Sequence, residues 1–216
     1  MSPPEAVNEC RDKRRFAAAC AALGYDTPRE YADPASAQFP AFVKPRVGQA
    51  GRGTARIDSA EALARRGFDP ATEVLQEFVA DPEFTIDVFI DWDGRLISAV
   101  PRRRVRVVDG ESVVGCTVYD EVLAAAAGRL AQRLGLRAHV TVQAFRGPES
   151  IRFIEVNPRF GGGAALGFAA GCPTPEWLVR LARGEGLEPR LGNYEAGLWM
   201  FRHTTDLFRR EGELKP

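Results

Sequence analysis

Two short segments, HVTVQAF (139–145) and IRFIEVN (151–157), flank Gly147-Pro148-Glu149-Ser150, and an apolar pair of strands so close together has to close as an antiparallel hairpin. With 148–150 as the loop, Gly147 faces Ile151, Phe145 faces Phe153 and Gln143 faces Glu155. The two-residue strand period then puts Gln143, Phe145, Phe153, Glu155 and Asn157 on one face, and Val142, Ala144, Ile154 and Val156 on the other. Directly opposed residues have β-carbons about 4.5–5.5 Å apart, so Gln143 and Glu155 can share one cation. Magnesium takes hard oxygen ligands, usually one or two carboxylates completed by water and substrate phosphates. Gln143, Glu155 and Asn157 fit that chemistry as a metal-binding set. The plainer reading makes Glu155 a solvated strand residue and Asn157-Pro158 a turn. It loses ground because an unpaired carboxylate inside an otherwise apolar strand is costly.

Elsewhere the chain alternates helix and strand, then turns antiparallel. Asn8 to Leu23 reads as one helix with Asn8 as a possible N-cap and Gly24 as its stop; Cys10 and Cys20 would share it, too far apart to bridge. Phe39 to Lys44 reads as a buried strand. Asp58 and Glu61 suggest a capping box for a helix ending at Gly67, and Val74 to Val79 is the next strand. Phe84 to Asp91 and Leu96 to Val100 flank Asp93-Gly94, a dipeptide suited to a type I′ turn. A helix follows from Asp120 to Leu134, stopped by Gly135, and a last one begins with Thr174 as N-cap and Pro175 at its first position. This order predicts an α+β protein of two lobes, residues 1–80 and 81–216, with the site in the cleft between them.

Composition narrows the function classes. Twenty-nine Lys and Arg balance 29 Asp and Glu, so no global field gathers nucleic acid or an anionic membrane. No run of apolar residues approaches a membrane span, and the N-terminus has no apolar signal core. Four scattered cysteines and two histidines offer no disulfide framework and no His-rich metal site, so reduced thiols in a cytoplasmic protein are expected. His139 and His203 read as packing or surface residues.

Lys44 ends an apolar strand and is followed by Gly48, Gly51 and Gly53 with Arg46 and Arg52 between them. Glycines let backbone amides approach an anion and lysine adds a point charge, although such a loop alone is more often a simple turn. Neither a Walker A nor a G-x-G-x-x-G pattern is present. Of Arg102, Arg103 and Arg104, strand alternation sends Arg102 and Arg104 to one face, where they could meet an anionic substrate; a solvated strand end is an equal reading.

The segments RDKRRFAAACAALGYDTP, FPAFVKPRVGQAGRG, LQEFVADPEFTIDVF, VTVQAF and FIEVNPRFGGG, in this order over residues 8 to 185, resemble the ATP-grasp superfamily. The likeness is to the branch containing the carbamoyl-phosphate synthetase large subunit and carboxylate-amine ligases. It implies the ATP-grasp fold, ATP and Mg2+ as cofactors, and small-molecule carboxylate and amine substrates. By the resemblance, Lys13 and Lys44 contact ATP phosphates, Gly48 to Gly53 cover them, Gln76, Glu77, Phe78 and Val79 line the adenine edge, and Glu83 binds the ribose. Gln143, Glu155 and Asn157 hold the metal, Arg159 meets the transferred phosphoryl group, and Gly161, Gly162 and Gly163 shape the substrate pocket. The implied reaction phosphorylates a carboxylate to an acyl phosphate that an amine or ammonia attacks. Relatives carry a further α/β domain ahead of the segment near Lys13, so the resemblance also implies a separate domain or partner subunit. The alternative is a nucleotide-binding or regulatory module inactive without it.

Overall fold

A computed structural model describes residues 1–48, 51–206, 208 and 210. Its elements in chain order are α1 (Pro4–Arg11), α2 (Lys13–Ala22), β1 (Ala41–Pro45), β2 (Ala55–Ile57), α3 (Ala60–Arg66) and β3 (Glu73–Glu77). There follow β4 (Glu83–Ile90), β5 (Leu96–Val108), β6 (Glu111–Thr117), α4 (Glu121–Arg133), β7 (Ala138–Arg146), β8 (Ile151–Asn157), α5 (Ala165–Ala169), α6 (Thr174–Ala182) and β9 (Trp199–Phe201). The strands form a three-stranded sheet, β2-β1-β3, and a six-stranded sheet, β8-β7-β4-β5-β6-β9. Every pairing between these strands is antiparallel. The expected α+β architecture with two sheets is present, and the proposed division at residue 80 falls in the linker between β3 and β4. Among the described residues no helix is long and apolar enough to cross a membrane.

Alternation along β4 and β7 gives the large sheet two chemically different faces. Ile86, Val88, Ile90, Val140, Val142 and Ala144 are buried with Leu123, Ala127 and Leu130 of α4 in the main core. Each such side chain contributes roughly 1.5–3 kcal/mol when removed from water. Thr85, Asp87, His139, Thr141 and Gln143 alternate to the other face, whose far end α6 covers through Trp177 stacked edge-on to Phe89.

The N-terminal segment is two helices rather than one. Asp12 is extended (φ −96°, ψ 118°) and its carboxylate accepts from the amides of Arg14 and Arg15, so it breaks the chain and caps α2 in place of Asn8. Cys10 and Cys20 therefore lie on separate helices; with Phe16 they enter the core of the large sheet, and both are free thiols. Gly24 ends α2 at φ +77° as expected.

Local chemistry shifts three further features. Ser59, not Asp58, caps α3, accepting from Ala62 N at 3.2 Å. The β4–β5 connection is a three-residue loop: Asp91 N bonds Arg95 O, the Asp91 carboxylate accepts from the amides of Asp93 and Arg95, and Gly94 alone takes positive φ (+89°). A type I′ turn needs positive φ at both central residues. Pro173 precedes α6, whose first residue Thr174 directs its hydroxyl to His139 Nδ1 (2.9 Å).

In the β7–β8 hairpin Gln143 opposes Glu155 as expected, but the register slips between Gln143 and Ala144. Ala144 then pairs with Phe153, Phe145 with Arg152 and Arg146 with Ile151. Ile154 is the extra residue of a bulge. Phe153 consequently packs in the main core, while Ile154 turns towards the cleft, the reverse of the expected faces.

Candidate active site

A cleft of about 950 Å³ lies between the two sheets. That is at the upper end of the range for small-molecule pockets. The small sheet supplies one wall. On β1, Ala41 and Val43 are buried with Ile57, Leu63 and Leu75, so alternation turns Phe42 and Lys44 to the cleft. Lys44 is only 5% exposed. Burial, and then the charge of Lys13, push its ammonium down to about 8, against the opposing pull of Glu155, Glu30 and Glu83. Lys13 opens α2 and is tied to this wall by its backbone N–H, which donates to Arg46 O (3.0 Å). Burial lowers its pKa as well, with Glu155 and Asp12 opposing. Neither lysine has a carboxylate within 4.0 Å among the described residues.

The connection from the small to the large sheet forms the end of the cleft. Gln76 reaches Pro28 O (3.5 Å), Glu77 accepts from Arg29 N (2.9 Å), and Phe78 lies under the Arg56 guanidinium at 4.6 Å. These three and Val79 line the cleft. Gly48 and Gly51 line it too. Gly53 does not: at φ +73° it lies against Pro45, and a Cβ there would stand 3.1 Å from Pro45 Cγ. Gln49 and Ala50 of the same loop lie outside the described residues.

The large sheet is the floor. Glu155 and Gln143 project side by side from paired strands, and Asn157 Nδ2 donates to Glu155 Oε1 (2.8 Å). The Gln143 amide is satisfied when its nitrogen donates to Glu83 Oε1 (3.3 Å) and its oxygen accepts from Arg104 Nη1 (3.2 Å). Glu83 also takes a 2.6 Å ion pair from Arg104. Burial raises the Glu83 pKa, Arg104 opposes, and the charge of Glu155 raises it further, so two carboxylates compete on one floor. That competition, with amide oxygens alongside, suits a hard divalent cation completed by a nucleotide's phosphates. No cluster of three or more His, Cys, Asp or Glu able to hold a metal occurs among the described residues.

Arg159 is exposed at the rim, with its carbonyl held by Thr141 Oγ1 (2.9 Å). Gly161 to Gly163 complete that side. Arg102 and Arg104 face the cleft from β5, while Arg103 turns away from it and is exposed. The structure adds residues that the sequence reading passed over: Thr85 and Thr141, findable by the alternation that located Gln143, and Asp109 and Glu111 at the β5–β6 turn. Asp87 and His139 lie beneath the floor. Burial raises Asp87, but Arg102, by charge and hydrogen bonding, and His139 together outweigh it and hold the carboxyl at about 2. His203 is exposed.

The model of a family described as "ATP-grasp in the biosynthetic pathway with Ter operon" matches residues 69–199, more than half of the chain. No curated protein matches. Among solved structures, the biotin carboxylase domain of Hydrogenobacter thermophilus 2-oxoglutarate carboxylase, in complex with MgADP, ADP and bicarbonate, is similar with TM-score 0.76 at 17% identity, covering 90% of this chain and 50% of its own. Thermus thermophilus N5-carboxyaminoimidazole ribonucleotide synthetase gives 0.70 at 20% identity, covering 88% and 56%. An L-amino acid ligase from Bacillus licheniformis gives 0.59 at 20%, covering 74% and 43%. This chain thus spans about half the length of these structures, and at such identities the likeness is one of fold.

Proposed function

The chain belongs to the ATP-grasp family, and from that premise we propose that it binds Mg-ATP in the cleft and phosphorylates a small carboxylate for attack by an amine or ammonia. The observation that carries the reading is the facing of two sets: Lys13 and Lys44, cations without carboxylate partners, opposite Gln143, Glu155 and Asn157, a row of oxygen donors. That one of the similar structures holds MgADP supports it.

Under this proposal Lys13 and Lys44 bind the phosphates, with the Gly48–Gly51 segment over them. Gln76, Glu77, Phe78 and Val79 take the adenine edge, and Glu83 the ribose. Gln143, Glu155 and Asn157 would hold magnesium, which when bound offsets charge on the phosphates. A carboxylate oxygen attacks the γ-phosphorus and ADP leaves. The amine then attacks the acyl carbon, inorganic phosphate departs, and the amine nitrogen loses a proton. The protein forms no covalent bond in this scheme; it positions the reactants, and Arg159 offsets charge as the phosphoryl group moves.

Calorimetric titration of Mg-ATP into the wild type, with EDTA as control, tests the reading. Saturable, EDTA-sensitive binding is expected, weakened in Glu155→Ala by roughly ten- to a hundred-fold, the scale of a lost charge-assisted contact. Binding indifferent to both EDTA and Glu155→Ala would sink it. A second reading, a nucleotide-binding module that turns over only with a further domain or partner subunit, draws on the open rim where Asp109 and Glu111 are exposed. Intact Mg-ATP binding without ADP release on adding carboxylates and amines would favour that one.

A further inference from the structure

Arg102 and Arg104 stand two residues apart on β5 and face one cleft, yet their guanidinium groups are engaged differently. Arg104 donates Nη1 to Glu83 Oε1 (2.6 Å) and Nη2 to Gly110 O (2.9 Å), which occupies both terminal nitrogens. Arg102, 3% exposed, gives Nε and Nη2 to the two oxygens of Asp87 at 2.6 and 2.9 Å. This is the fork-on-carboxylate geometry of a strong bidentate pair. Among the described residues its third nitrogen, Nη1, donates to no protein acceptor. Nη1 lies against the glycine turn: a Cβ built on Gly163 would stand 2.6 Å from it.

Asp87 is itself confined. A Cβ on Gly167 would stand 2.8 Å from its Oδ2, and His139 Nε2 sits 3.6 Å from its Oδ1, beyond hydrogen-bond distance. His139 is in turn fixed by Thr174 Oγ1 and by stacking on Phe160 at 4.4 Å. Arg102 therefore cannot swing to solvent, and it holds one N–H at a set place on the cleft wall. Nη1 is not sealed off, and enough of it stays open to the cleft for an acceptor to reach it.

Building on the ligase reading, we propose that Arg102 Nη1 is the binding post for the acceptor carboxylate, a small organic acid or bicarbonate, with Asp87 and Gly163 as positioning residues. Asp87 orients the guanidinium and also offsets its charge. Arg102 then recognises its ligand through a directed hydrogen bond rather than a net positive field, which leaves the phosphates to the uncompensated lysines. Gly163 leaves the space over Nη1 that any side chain would close. Arg104, already committed to Glu83, takes no part in holding the acid.

The test uses the full chain and 13C-labelled acetate, pyruvate, glycine and bicarbonate, titrated with and without Mg-ADP and followed by NMR of the labelled carbon. Saturable binding of at least one acid is expected, weakened roughly ten-fold or more in Arg102→Lys and Gly163→Ala. Arg103→Lys, on the opposite, exposed face, should bind as the wild type does. Gly163→Ala alters no buried charge, so it keeps the test valid should Arg102→Lys fail to fold. No binding of any of the four acids, or binding that both variants leave unchanged, overturns the proposal. Mg-ATP titration of the same samples separates the two claims. An acid held through Arg102 by a chain that binds no Mg-ATP removes the ligase reading and leaves the post; Mg-ATP bound with no acid does the reverse.

Discussion

On the floor of the cleft two arginines of β5 each have a carboxylate at 2.6 Å, Arg102 with Asp87 and Arg104 with Glu83. Across the cleft, Lys13 and Lys44 have none within 4.0 Å among the described residues, and burial pushes both towards their neutral forms. The difference separates two uses of buried charge. A compensated pair fixes a direction in space. An uncompensated one stores unfavourable energy that an arriving anion would relieve, even inside a chain of zero net charge.

The sharpest way to break the comparison is to remove the compensation from the floor. Asp87→Ala leaves Arg102 buried without its partner and should cost about 3–5 kcal/mol in urea unfolding. A loss below about 1 kcal/mol, the scale of an exposed pair, would mean that the floor is no better compensated than the other wall.

Removing the uncompensated charge should do the opposite. Lys44→Met is expected to stabilise the nucleotide-free protein by roughly 2–3 kcal/mol at pH 7 while abolishing Mg-ATP binding. The sign follows from linkage. The folded-state pKa of Lys44, about 8, lies below its ordinary value of 10.5. Its destabilisation is therefore fully present below pH 8 and is relieved as pH rises towards 10.5, where the unfolded chain holds more protons. Thermal unfolding between pH 7.5 and 10 should show this upward contribution in the wild type and not in Lys44→Met; parallel curves would refute it.

The smallest effect belongs to the loop. Gly51 sits at φ +64°, and a Cβ there would meet only Thr54 Oγ1 at 3.9 Å, so Gly51→Ala carries a backbone penalty without a clash. About 1 kcal/mol of stability should be lost. Mg-ATP affinity should fall with it if the loop covers the phosphates, whereas unchanged affinity would restrict the lysine wall to Lys13 and Lys44.

Parts of this arrangement were legible because they depend on near neighbours in the chain. Two apolar strands joined by a short loop put Gln143 opposite Glu155, and a carboxylate in an apolar strand made that pair a candidate. The same argument applied to Asp87, a carboxylate between Ile86 and Val88, would have called for a buried cation, and Arg102 is the residue that balances it. The bulge was not legible. Nothing near Ile154 announces that one residue will be skipped, yet that slip decides that Phe153 enters the core and Ile154 faces the cleft. Asp12 likewise reads as an ordinary helix residue until its side chain captures the amides of Arg14 and Arg15.

The sequence by itself determined two of the three hairpins of the large sheet, β4–β5 and β7–β8, the helices stopped at Gly24, Gly67 and Gly135, the zero net charge, and the order of segments that the ATP-grasp family shares. Only the tertiary structure decided which arginine is locked and which is committed elsewhere, and that Lys13 approaches Lys44 closely enough to depress it. The physical reason is the range of the interactions. Alternation, turn formation and helix termination are settled within a few bonds. Burial and Coulomb energy depend on which elements, tens of residues apart, the packing of α2 and the two sheets brings within a few ångströms.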